Sequence, residues 1–116
     1  TTMTGPFQFG AAVVLDRLDL VQAAGQDAVR MTLAWQAVDD ADVRYSVQAL
    51  DAGGQVLAQT DGVPGSLDGT LDRIGLWLPP GVERLILKVY RASDGGILPV
   101  TGPAGESGEF LALPLS

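Results

Sequence analysis

An antiparallel β-sandwich is the fold class this sequence predicts, and three observations predict it. Apolar and polar residues alternate at period two through most of the chain, glycines and prolines fall mainly between the alternating runs, and no stretch carries a helical period. Without helices to carry crossovers between parallel neighbours, about eight short strands must pair antiparallel and pack as two sheets, in an immunoglobulin-like or jelly-roll-like arrangement.

Residues 1–8, with Gly5-Pro6 among them, are expected to form an N-terminal tail or linker, leaving 9–116 as a single domain. Val13 and Leu15 share one parity while Leu18 and Leu20 take the other, so a bulge near Asp16-Arg17 is needed to give both halves of that strand one buried face. The run Val29, Met31, Leu33, Trp35, Ala37 alternates with Arg30, Thr32 and Gln36, and Val43, Tyr45, Val47, Ala49 alternates with Arg44, Ser46 and Gln48. Asp51-Ala52-Gly53-Gly54 then makes a hairpin turn into a strand over 56–60. Ile74, Leu76 and Leu78 run up to Pro79-Pro80-Gly81, and Leu85, Leu87 and Val89 run up to a second turn at Ser93-Asp94-Gly95-Gly96. A short strand at 97–100, a Gly-rich linker at 101–107 and a last strand at about 109–113 complete the order.

The 116 residues, 47% hydrophobic and of mean hydropathy +0.23, suffice for one core. Surface scaling gives about 6,000 Å² folded against about 17,000 Å² extended, so no disulfide is required. Cys 0 and His 0 exclude thiolate zinc sites, thiol catalysis, Ser-His dyads and imidazole switches. Seven Lys and Arg scattered against fourteen Asp and Glu give a net charge of -7, which argues against nucleic acid and anionic membrane surfaces as partners. No apolar run approaches the roughly 18 residues of a spanning helix. The chain begins Thr1-Thr2-Met3, and the expected reading is a piece of a longer protein.

Taken together, Phe9-Gly10, Leu15 to Leu20, Arg30-Met31-Thr32-Leu33-Ala34-Trp35-Gln36-Ala37 and the run from Leu50-Asp51-Ala52-Gly53-Gly54 to Asp61-Gly62 resemble a β-sandwich domain of bacterial surface-facing proteins. That module sits at the C-terminus of large polytopic membrane proteins, many resembling dolichyl-phosphate-mannose-type glycosyltransferases. Leu78-Pro79-Pro80-Gly81, Val89-Tyr90 and Asp94-Gly95-Gly96-Ile97-Leu98-Pro99-Val100 resemble its closing half, so the likeness spans most of residues 9 to 113. The resemblance implies a non-catalytic accessory module outside the cytoplasm, in the cell envelope, contacting its parent polypeptide or another envelope protein. It carries over no active site.

Without His or Cys, catalysis would rest on carboxylates. The pairs Glu106 with Glu109 and Asp68 with Asp72 are the candidates, read more simply as solvated loop acids. Asp39, Asp40 and Asp42 form the densest acid run and offer oxygen ligands for calcium, although the spacing is not that of an EF-hand and turn capping is the plainer role. Trp35 shares the parity of Val29, Met31 and Leu33 and belongs in the core. Trp77 opposes Ile74, Leu76 and Leu78, and Tyr90 and Lys88 oppose Leu85, Leu87 and Val89. Outward Trp77, Tyr90 and Lys88 are therefore candidates to bind a glycan, stacked on the rings, or a neighbouring domain. Arg17 with Asp19, and Pro99 or Pro114, are expected to guard sheet edges, giving a monomer.

Overall fold

A computed structural model describes residues 1–11, 13–22, 27–65 and 70–115. Its strands are β1 (Thr2–Phe9), β2 (Val13–Gln22), β3 (Ala28–Val38), β4 (Val43–Leu50), β5 (Val56–Gly62), β6 (Leu71–Trp77), β7 (Arg84–Arg91), β8 (Val100–Thr101), β9 (Ser107–Gly108) and β10 (Leu111–Leu113). They form two antiparallel sheets packed together. One has six strands in the order β6-β3-β2-β1-β8-β9, and the other has four in the order β10-β7-β4-β5.

The period-two residues of both sheets meet in one core. Val13, Leu15, Leu18, Val29 and Leu33 from the larger sheet and Val47, Leu87 and Val89 from the smaller are fully buried. The total surface of 6144 Å² is close to the value that surface scaling gives for a well-packed chain of this mass. Aromatic rings bridge the sheets at one end. Phe9 meets Trp35 edge-on at 6.5 Å between centroids, and Trp35 meets Tyr45 of the opposite sheet at 6.2 Å.

The expected phase break is real. Between Val14 and Arg17 the β2–β3 register shifts twice, so Leu15 and Leu18 both reach the core despite their opposite parity. The β1–β2 register slips beside it, between Thr4 and Phe7, where the Gly5-Pro6 peptide is cis. A side chain at Gly5 would run into backbone there, its Cβ falling 2.8 Å from the Asp16 carbonyl oxygen.

Three expectations are corrected. Residues 1–8 are no tail: Thr2–Phe9 pairs with β2 along its length, and Phe7 is buried. Met3, Phe7 and Phe9 already share a parity, which Gly5-Pro6 disguises. The Gly-rich stretch is no linker either, because Val100 and Thr101 pair with Gly108 and Ser107 across a turn closed by a hydrogen bond from Gly102 N–H to the Glu106 carbonyl. Arg17 and Asp19 guard no edge, since β2 is interior to its sheet. They pair with each other at 3.3 Å on its outer face. The edges belong to β6, β9, β10 and β5, and two of these are only two and three residues long, which leaves little backbone open to edge pairing.

The connection at Pro79-Pro80-Gly81-Val82 crosses from one sheet to the other. Leu78 N–H donates to the Asp27 carbonyl at the end of the larger sheet, while Glu83 N–H donates to Leu50 of the smaller. That crossing decides where Trp77 and Tyr90 lie.

Candidate functional site

Trp77 and Tyr90 fall on different sheets and so face opposite sides of the sandwich. They cannot form one platform, and Lys88 goes with Tyr90.

The outer face of the smaller sheet is knitted to itself. Asp61 on β5 accepts hydrogen bonds from Ser46 Oγ at 2.6 Å and from the Tyr90 hydroxyl at 2.9 Å. Ser46 lies between Asp61 and Lys88 in the cross-strand register and is only 3% exposed. The Tyr90 phenol is raised above its ordinary pKa, first by desolvation, then by the hydrogen bond to Asp61 and that carboxylate's charge, with Arg44 opposing. The Ser46 and Tyr90 hydroxyls are thus both engaged by Asp61.

The outer face of the larger sheet is different. Trp77 ends the edge strand β6 and is 75% exposed, and Val21 on β2 is 61% exposed. Between them lies a shallow depression of about 490 Å³ lined by Val21, Ala28, Arg30, Gly75 and Trp77 among others. The register explains it. Arg30 pairs with Gly75 on one side and Val21 on the other, and Ala28 pairs with Trp77. On the β6 side of Arg30 there is thus no side chain, and Val21 and Trp77 stand at the flanks. Arg73, two residues before Gly75, faces Thr32 on the same outer surface. Neither Arg30 nor Arg73 has an ion-pair partner among the described residues.

The acid run serves the turn between β3 and β4, which also crosses between sheets. Asp40 Oδ1 accepts from the Asp42 N–H at 2.9 Å, and Asp42 accepts from both the backbone and the hydroxyl of Ser93. Asp39 is exposed. Among the described residues no three Asp, Glu, His or Cys side chains are grouped to hold a metal ion.

Asp72 corrects a further expectation. It is 2% exposed rather than solvated, and its Oδ2 accepts from Trp35 Nε1 at 2.8 Å and from Gly65 N–H at 2.7 Å. The carboxylate ties the segment after β5 to the core Trp and contributes to the high pKa of Tyr45, pushed to about 12 by desolvation first and then by the charges of Asp72 and Asp61. Its parity with Ile74 and Leu76 was the available signal. Asp68, its proposed partner, lies outside the described residues. Glu106 accepts from Ala104 N–H within its turn, and Glu109 is exposed.

Sequence reasoning missed Arg30, Gly75 and Val21, because only the pairing of β2, β3 and β6 brings them beside Trp77. Comparison with known families and with curated proteins finds no match to this chain.

Proposed function

We propose that this chain is a non-catalytic interaction module of a larger bacterial envelope protein, working outside the cytoplasm as a monomer and docking through the Trp77 end of its six-stranded sheet. The observation that carries the reading is the exposure of Trp77 and Val21 around one depression on a chain whose other tryptophan is 4% exposed. An unpaired, flat, apolar ring at a sheet margin is the kind of surface that partners bury. The resemblance to envelope-associated sandwich domains supports the location, and the absence of His and Cys from the sequence supports a binding rather than a catalytic role.

A second reading is carbohydrate binding at the same depression. It is favoured by the placement of Gly75, which carries no side chain, two residues before Trp77 on the same outward side of β6, where a sugar ring can lie beside the indole. Nothing at Tyr90 and Lys88 favours it equally, because Asp61 already engages the Tyr90 hydroxyl.

Sedimentation with bacterial cell-wall and membrane fractions tests the module. The expected result is cosedimentation that falls about tenfold or more in Trp77→Ala, the loss of one interface anchor, at unchanged melting temperature. Equal binding by the two proteins, or none by either, counts against the reading.

A further inference from the structure

The charge on this surface runs against the charge of the molecule. The chain carries -7 overall, yet three of its seven cations, Arg17, Arg30 and Arg73, lie on the outer face of the six-stranded sheet. Asp19, on the same face, pairs with Arg17 at 3.3 Å and accepts from the Thr2 hydroxyl. Arg30 and Arg73 remain without an acid partner among the described residues. Sheet geometry fixes how they sit. Gly75 is directly opposite Arg30, and Arg73 and Trp77 are its two diagonal neighbours, about 7–8 Å away on a pleated sheet.

We infer that the Trp77 depression is a subsite for an acidic sugar residue, a hexuronate, whose ring lies against the indole beside Gly75 and whose carboxylate meets the Arg30 guanidinium. The inference rests on the reading of the Trp77 end as the binding surface and names the chemistry that this surface selects. Three features argue together. The indole offers a flat apolar face to the C–H side of a pyranose, which an acidic peptide side chain lacks. Guanidinium and carboxylate form short, charge-assisted, often bidentate hydrogen bonds. The depression of about 490 Å³ falls within the ordinary range for small-ligand sites, and Gly75 keeps its centre clear. Arg73, one diagonal step beyond, extends the positive strip along β6 toward the next acidic residue of an oligomer.

The glycine supplies a clean test. A Cβ at Gly75 meets nothing nearer than the Val29 carbonyl oxygen at 3.8 Å, and its backbone is not left-handed, so Gly75→Val should fold while filling the depression. The labelled domain is titrated with oligomers of galacturonate, glucuronate and mannuronate. Their carboxyl-reduced, neutral counterparts and polyglutamate follow, with the Trp77 indole N–H as the NMR signal. At least one uronate oligomer is expected to shift that signal, about tenfold more tightly than its neutral counterpart. Arg30→Gln removes the preference for the acid, and Gly75→Val removes binding with the melting temperature retained. No shift from any of the three uronates overturns the inference, as does equal affinity for the neutral forms, or polyglutamate binding as tightly as the sugars. Trp77-dependent sedimentation with envelope fractions that uronates fail to displace overturns it too, while leaving the docking reading intact. Sedimentation that ignores Trp77→Ala removes the docking reading itself.

Discussion

The two outer faces of the sandwich are built from similar residues and do opposite things with them. On the four-stranded sheet, Asp61 collects the hydroxyls of Ser46 and Tyr90, so the outward ring is tied to its own sheet. On the six-stranded sheet, Trp77 and Arg30 flank a glycine, with no acid answering the arginine among the described residues. An aromatic residue pointing outward is therefore a poor sign of a binding surface by itself. What distinguishes the two is whether neighbouring strands bring groups that satisfy it, and that is a matter of register.

The sharpest test of the contrast uses the two tryptophans. Trp35→Ala empties the aromatic contact between sheets and removes one donor from the buried Asp72 carboxylate, and should cost about 3–5 kcal/mol in urea unfolding. Trp77→Ala should stay within about 0.5 kcal/mol of the parent. A large loss at Trp77 would mean that the ring is part of the packing, and the contrast between faces would collapse.

The glycines of the two edge strands give the next effect. A Cβ at Gly62 would lie 2.6 Å from Tyr45 Cζ, so Gly62→Ala should destabilise by about 1–3 kcal/mol by forcing the ring aside. Gly75→Ala has room and should be neutral or stabilise by up to about 1 kcal/mol. Parallel denaturation curves read both, and comparable losses would show that the depression is needed for the fold.

Asp61→Ala leaves the buried Ser46 hydroxyl without its acceptor and should cost about 1–2 kcal/mol, whereas Arg30→Ala on the opposite face should cost less than about 0.5 kcal/mol. Reversal of that order would place the knitted face on the wrong sheet.

The smallest effect is alkaline. Both phenols are raised, Tyr45 from 10.0 to about 12, so the fold favours their protonated forms. The stability this contributes is whole below the unfolded tyrosine pKa of about 10 and is lost as pH rises through the folded values. Asp61→Asn should move both ionisations to lower pH, Tyr90 losing a charged acceptor and Tyr45 keeping the larger parts due to burial and to the Asp72 charge. Tyrosinate absorbance against pH measures it. An unmoved Tyr90 would detach that ring from the Asp61 network.

Local rules carried much of the reading. Period two placed the strands, the parity of Trp35 and Trp77 separated core from surface, and the broken phase of β2 located its bulge. What failed was long-range. Gly5-Pro6 made a paired strand look like a tail, and the β6–β7 connection gave no hint that it changes sheets, so Trp77 and Tyr90 could not be separated. Arg30 and Gly75 are 45 positions apart and become neighbours only through the β3–β6 pairing. Asp72 sat in plain view on an inward parity, but a carboxylate is ordinarily assigned to solvent unless its partners are known.

The unequal placement of the two tryptophans gives the molecule a pair of intrinsic optical reporters. Trp35, 4% exposed among Phe9 and Tyr45 with its indole N–H held by Asp72, should emit to the blue of Trp77 from a dry setting beyond the reach of aqueous quenchers. Trp77, 75% exposed, should emit to the red and be quenched freely by iodide or acrylamide. Occupation of the outer face will be read as shielding of the red component alone, and unfolding as the blue component moving to join it. A single emission spectrum, without any attached dye, therefore separates ligation from loss of fold.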